Sequence, residues 1–351
     1  MSWRLSWLES WDEVRDTSFV AQWRRLGDDS AGPTGFQQPE VVAPWLTESA
    51  EPGGSSPLFG WAEHVSGARA LLPWVCSARR GRLTRRRIAE PALGSLAGYT
   101  DPLFVGDARW IPALWSQVRH ELAGRIDQGL FRFVHRELAP PDSPPAGDAS
   151  PVLELPAGAT LEQLLAGTSA NHRGDLGRRR RRLAERGAVE LVVFTNPSLA
   201  LPEFDGPFLE AYTAQWRGSA AGSLLDHPGT APFLRRFLAE QVGGWAHFSA
   251  LRVEGHAVAW HLGFVFRNEL YWWFPTYYPV WAGYSPGKVL LAHLVEHGLN
   301  HGWRRIHFLT GGHDYKLAWR PRPVDLVTVR WFSPSLVGRA LGAYDRLRRG
   351  R

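Results

Sequence analysis

Three apolar runs, residues 246–253, 256–266 and 269–278, are separated by two residues each, Glu254-Gly255 and Arg267-Asn268. Breaks that short close β-hairpins and leave no room for a helix, so the runs are expected to form an antiparallel meander. A Gly/Pro-rich loop then leads into a helical pattern over about 287–301, and the apolar run 305–309 reads as one more strand. Sheet and helix thus share one segment, which makes the fold class α/β in the mixed (α+β) sense.

The rest of the second half fits around this meander. Residues 171–186 read as a helix stopped at Gly187, 189–195 as an apolar strand, and 208–217 and 232–242 as helices. A strand at 325–332 precedes a basic C-terminal helix. The first half repeats the order more faintly, with strand patterns at 58–65, 68–78, 86–92 and 130–135 and a helix at 111–125. Between the halves, residues 140–151 are rich in proline and poor in apolar side chains, the composition of a connector. A chain of 351 residues is long for one core. The expectation is two copies of one unit, residues 1–150 and 151–351, the first degenerate.

Hydrophobic residues make up 44% of the chain and include 18 tryptophans, enough apolar surface to exclude global disorder. Cys76 is the single cysteine, so no internal disulfide or multi-cysteine metal site is available. No signal peptide or membrane span is visible, and a cytoplasmic protein is expected. Trp3, Trp7 and Trp11 recur every four residues, a spacing read as core packing or a short strand. The net charge of +6 points to an anionic ligand or partner. The cations are grouped: Arg79, Arg80, Arg82, Arg85, Arg86 and Arg87 in one cluster, Arg173, Arg178 to Arg182 and Arg186 in another. Consecutive arginines on a helix point all round it, so most of the second cluster is expected to be solvated.

Only two of the forty basic residues are lysines, Lys288 and Lys316. A lysine kept in such a chain marks places where a compact ammonium serves better than a planar guanidinium. Lys288 opens the helix after the loop, within Tyr284-Ser285-Pro286-Gly287-Lys288-Val289. Pro286 suits a first helical position, and Gly287 allows an anion close to the backbone. Free N–H groups and the helix dipole together favour phosphate there. A P-loop is excluded by spacing: Gly283 lies four residues before Gly287, and Val289 stands where a hydroxyl would be needed.

The run from Tyr284 to Leu291, then Phe308-Leu309-Thr310-Gly311 and Asp314-Tyr315-Lys316 with Trp319, resembles the CelD-like group of GNAT acyltransferases, relatives of the FemAB peptidoglycan-bridge enzymes. Phe36-Gln37-Gln38-Pro39-Glu40 with Trp45, and Gly98-Tyr99-Thr100-Asp101-Pro102-Leu103, are similar to that group's N-terminal signatures. The resemblance implies two tandem GNAT-like units, each a mostly antiparallel mixed sheet flanked by helices. It also implies an acyl donor, usually an acyl-CoA thioester, and an amine acceptor: a small molecule, a peptide or a saccharide amine. FemAB relatives use aminoacyl-tRNA instead, which the arginine clusters would fit. A polyanion-binding protein without catalysis is the rival from another class. The sequence departs from the general GNAT phosphate motif, with Ser285-Pro286-Gly287-Lys288 in its place.

Amide formation from a thioester needs a proton acceptor for the amine, donors for the oxyanion and an acid for the leaving thiolate. Asp314 is the first candidate for the base or for orienting the acceptor, with His313 beside it. Tyr315 could protonate the thiolate, and Lys316 could pair with Asp314 or hold an acceptor carboxylate. His261, inside the middle strand, is a further candidate base or else a core histidine. Pro275 is expected to mark a break or bulge in the strand that supplies the oxyanion donor. The acceptor is expected to enter between the two units. His293, His297 and His301 repeat every four residues on one helix, a spacing that could bind a metal. Two solvent-facing histidines and a terminal one explain it without one, so no metal is expected.

Overall fold

The computed structural model describes residues 3–80, 85–148, 150–217, 223–311 and 313–349; Arg82 of the first arginine cluster and Gly312 lie outside them. In chain order the first elements are β1 (Trp3–Leu8), α1 (Trp11–Arg15), α2 (Thr17–Asp29) and α3 (Pro39–Trp45). Then come β2 (Ser56–His64), β3 (Arg69–Arg80), β4 (Arg85–Pro91), β5 (Leu103–Val105), α4 (Ile111–Leu122) and β6 (Gln128–His135). The middle of the chain supplies β7 (Val152–Glu154), α5 (Leu161–Ala166), α6 (Ala170–Ala184), β8 (Val189–Phe194), α7 (Pro197–Glu203), α8 (Leu209–Trp216) and α9 (Thr230–Gln241). It continues through β9 (Ala246–Val253), β10 (His256–Phe266), β11 (Glu269–Tyr277), α10 (Pro286–Asn300), β12 (Arg305–His307) and α11 (Asp314–Leu317). The chain closes with β13 (Leu326–Phe332) and α12 (Leu336–Arg349). Among the described residues no helix is long and apolar enough to cross a membrane.

Two compact units emerge, Met1–Gly147 with Asp325–Arg351, and Asp148–Val324. The expected cut near residue 150 is therefore followed by a second crossing, and residues 325–351 do not belong to the second unit as the 151–351 division had it. The reason is strand pairing: β13 lies antiparallel to β6, with Val327 opposite Val134 and Trp331 opposite Gly129. Its Trp331 stacks on Phe131 at 5.5 Å and lies 6.0 Å from Trp74 in the unit 1 core. Unit 1 is a sheet of order β1-β2-β3-β4-β6-β13, with β5 beside β3. Only β4 and β6 run parallel in it. Trp3 and Trp7 share one face of β1, as strand alternation requires.

Unit 2 is a sheet of order β7-β12-β11-β10-β9-β8, all antiparallel except the β11–β12 pair. The meander expected from the two-residue breaks is present, closed by residues in left-handed backbone at Glu254, Gly255, Arg267 and Asn268. Helix α10 buries Val289, Leu290, Leu291, Leu294 and Val295 against it. β11 stays paired with β12 for three residues only, Glu269 with Arg305, Leu270 with Ile306 and Tyr271 with His307. Beyond Tyr271 it follows β10 alone. There Leu262 pairs with Phe274 and Phe264 with Tyr271, so Gly263 faces both Trp272 and Trp273. This two-against-one register is a β-bulge. It sits ahead of Pro275, which pairs regularly with His261 and is not the break.

Gly263 is demanded by that bulge. A Cβ there would lie 2.1 Å from the Tyr271 carbonyl oxygen and 2.7 Å from the His261 ring. Backbone and a buried ring cannot both retreat, so Gly263→Ala is expected to destabilise the protein by about 2–4 kcal/mol. Urea unfolding checks this; a change within about 0.5 kcal/mol would mean the bulge is soft.

Candidate functional site

The loop between β11 and α10 turns sharply at Ser285, a non-glycine residue held in left-handed backbone at φ 52°. Its carbonyl accepts from Lys288 N–H at 3.0 Å and Val289 N–H at 3.4 Å. Pro286 has no N–H, so the Gly287 N–H is the donor in this turn that nothing among the described residues uses. A Cβ at Gly287 would meet only the Tyr277 ring, at 3.6 Å. Packing therefore does not dictate glycine at this position.

Helix α6 packs beside this tip and brings its arginines to it. Arg179 donates to the Ser285 hydroxyl, and Arg182 and Arg186 lie 5.4 and 5.5 Å from the Tyr284 ring. The expected solvated helix is thus partly structural: Arg173 caps the Leu165, Ala166 and Thr168 carbonyls, and Arg180 faces Glu296 at 3.7 Å. Asp175 gathers the charge. It accepts from Arg179 at 2.7 Å, Arg178 at 3.1 Å and Lys288 at 3.3 Å. The Arg179 hydrogen bond, aided by Lys288, holds its carboxyl down at about 2. The anion that makes Lys288 tolerable in a first turn is therefore already in the protein.

A cleft of about 280 Å³ opens where α6, α10 and α11 meet, and Lys288, Asp175, Asp314, Tyr315, His172 and Trp319 line it. Asp314 and Tyr315 thus share the cleft with Lys288 of the first turn of α10. Asp314 is exposed. The Tyr315 hydroxyl accepts from Trp272 Nε1 at 3.2 Å, and burial pushes its pKa up to about 12. Trp272 is the first residue of β11 beyond its pairing with β12, so it ties Tyr315, in the cleft wall, to the split in the sheet.

The other candidates sit elsewhere. His313 is exposed and stacks on Tyr315 at 6.0 Å. Lys316 is buried and donates to the Phe308 and Thr310 carbonyls at 2.8 and 3.0 Å, not to Asp314; burial lowers its pKa to about 8. His261 is fully buried under α10, stacked on Trp272 at 4.5 Å, and its Nε2 accepts the Trp273 N–H at 3.3 Å. It holds the bulge and does not line the cleft. Glu269, at the start of β11, is buried and paired with His307 at 2.7 Å and Arg305 at 3.0 Å. His297 is not solvent-facing but turns inward to His247 at 5.8 Å. Its neighbour His293 lies in a separate groove with Arg180. His172 was missed altogether. Its Nε2 is buried without a partner among the described residues, and burial, then Lys288, lowers its pKa. Nothing in the sequence sets it apart from the arginine run that follows.

Residues 170–317 match the family model described as acetyltransferase (GNAT) domain. The two-unit architecture is shared with a solved structure of FemX, at a TM-score of 0.62 and 8% identity, covering 93% of this chain and 98% of that one. The chain therefore carries a GNAT-type domain over residues 170–317. It is also similar to the C-terminal domain of a putative lysylphosphatidylglycerol synthetase from Agrobacterium fabrum, at a TM-score of 0.53 and 15% identity over 93% of this chain and 96% of that one. A conserved protein of unknown function from Bacteroides thetaiotaomicron scores 0.51 at 12% identity, over 89% and 96%. No curated protein matches the sequence. Both mixed sheets flanked by helices, the tandem GNAT-like arrangement expected from the sequence, are present.

The GNAT unit carries its own acid lability. His247 and His261 are buried as neutral imidazoles; burial first, then neighbouring histidines, pushes His247 down to about 3 and His261 well below its ordinary value. An unfolded histidine takes up its proton near pH 6.5 and these do not. Stability is therefore complete well above pH 6.5 and falls as pH drops below it, by about 1.4 kcal/mol per pH unit for each ring. Urea unfolding at about pH 7.5 and about pH 5 should differ by about 4 kcal/mol. Equal stabilities would show that both rings reach water when folded.

Proposed function

We propose that the protein is an N-acyltransferase, moving an acyl group from a coenzyme A thioester to an amine on a small molecule, peptide or saccharide. The observation that carries this reading is that Lys288, in the first turn of α10, and the Asp314–Tyr315 pair line one cleft, with Tyr315 tied through Trp272 to the split between β11 and β12. The donor's diphosphate suits the Gly287 N–H, with Tyr284, Ser285, Pro286, Lys288 and Val289 shaping the turn around it. Arg182 and Arg186 add positive charge from the side.

In the step itself the amine nitrogen attacks the thioester carbonyl carbon, a C–N bond forms, and the C–S bond breaks. The amine proton passes to the Asp314 carboxylate; the leaving sulfur takes a hydrogen bond from the Tyr315 hydroxyl, which its raised pKa keeps protonated. His172 Nε2, unpartnered in the same wall, is the alternative acceptor for that proton. Lys316 and His261 act through structure, the first by tying the loop after β12 and the second by fixing the bulge.

An aminoacyl-tRNA donor is the second reading, favoured by the arginines that α6 presents at the tip. Calorimetry or thermal shift separates the two. Acetyl-CoA at about 100 times its dissociation constant should stabilise the fold by about 2.7 kcal/mol. A response to tRNA alone, lost in moderate salt, would replace the first reading with the second.

Lys288→Ala should weaken coenzyme A binding about tenfold and leave acceptor binding unchanged. Equal affinity for coenzyme A would remove the lysine from the donor site. Asp314→Asn should lower turnover about a hundredfold with folding intact. Unchanged turnover would transfer the base to His172, and His172→Gln would then show the loss.

A further inference from the structure

Helix α12 packs on unit 1 through two glycines. A Cβ at Gly338 would lie 2.3 Å from the Ser333 carbonyl oxygen, and one at Gly342 would lie 3.3 Å from the Phe332 ring. Asp345 on the same side pairs with Arg330. The opposite side carries Leu336, Ala340, Ala343, Tyr344 and Leu347, which 3.6 residues per turn gathers into a stripe about 100° wide. Leu336, Tyr344 and Leu347 are 78%, 63% and 73% exposed. An apolar stripe turned outward is the reverse of what a helix packed on a core needs. Exposed Arg339 and Arg346 flank it.

A second basic element meets this helix at its start. Asp127 accepts from the Arg87 N–H at 2.8 Å and from the Ser335 hydroxyl at 3.0 Å. It thereby joins the arginine-bearing ends of β3 and β4 to the residue preceding Leu336. Arg79, Arg85 and Arg87 are exposed there. One end of unit 1 therefore combines a row of outward apolar side chains with a border of guanidinium groups.

We propose that this face docks the protein on an anionic lipid surface, with α12 lying in the plane of the interface. Leucines and a tyrosine would enter the headgroup boundary while the arginines meet lipid phosphates. Charge complementarity selects the occupant. A nucleic acid would satisfy the arginines and leave the apolar stripe in water, whereas an anionic bilayer uses both. The proposal is independent of the acyl-transfer reading, since it rests on unit 1 alone.

Co-sedimentation of the full chain with phosphatidylcholine vesicles, with and without phosphatidylglycerol, tests it. The bound fraction should rise severalfold with the anionic lipid and fall in high salt. The pair Leu336→Glu and Leu347→Glu should abolish binding without moving the thermal midpoint, because both side chains are exposed. The pair Arg85→Glu and Arg346→Glu should weaken it about tenfold. Absence of vesicle binding overturns the proposal, as does binding that the leucine pair leaves unchanged. A wild-type dimer that the leucine pair dissociates would overturn it in favour of a second copy on this face. Retention on single-stranded RNA without vesicle binding would do so in favour of a nucleic acid.

Discussion

Strand β11 can satisfy two neighbours only as far as Tyr271, and the arrangement of unit 2 follows from that limit. Up to Tyr271 it is bonded to β10 on one edge and to β12 on the other. The bulge opposite Gly263 then adds a residue to β11, which increases local twist and bends the strand. β12 is left behind after three pairs. Polar backbone at a sheet edge must find partners, so a split of this kind is stable only where something lines it. Here Trp272, Tyr315 and the first turn of α10 do so.

Charge at the helix tip obeys a second constraint. Three cations within reach of one carboxylate leave Asp175 ionised over the whole ordinary pH range, and its neutralising effect on Lys288 and Arg179 is permanent. Arg182 and Arg186 instead lie over the Tyr284 ring, where cation–π attraction orders them without cancelling their charge. The tip consequently keeps a net positive field while its nearest pair is already compensated. The anion site proposed above would therefore need little rearrangement.

Local features carried most of the fold. Two-residue breaks and apolar runs are read from neighbours in sequence, and β9 and β10 have the bounds those runs gave. The second crossing at residue 325 was not legible, because whether a strand joins one sheet or another depends on partners nearly two hundred residues away. Pro275 drew notice as the break since proline lacks an N–H, yet the bulge belongs to Gly263, where the backbone of Tyr271 comes too close for any side chain. At the site, Asp314, Tyr315 and Lys288 stood out by motif and do meet in one cleft. His261 and His297 looked equally chemical in sequence, but burial decides their state, and burial is a property of the packed sheet. His172 carries no signal at all beyond being a histidine ahead of an arginine run.

The two lysines, alike in their rarity, differ in what their surroundings explain. Around Lys316 the structure is sufficient. Its ammonium fits between the Phe308 and Thr310 carbonyls in a buried space, donating to both from a single nitrogen. A planar guanidinium would bring further donors that need partners there. Around Lys288 the protein's own contacts are not sufficient. The side chain is 40% exposed and shares Asp175 with Arg178 and Arg179, a role a third arginine would fill at least as well. What distinguishes position 288 is the open cleft on its other side, where a compact point charge can follow a mobile phosphate that a rigid fork would bind in one geometry only. The polypeptide itself thus accounts for lysine at 316, and at 288 the donor phosphate proposed above would.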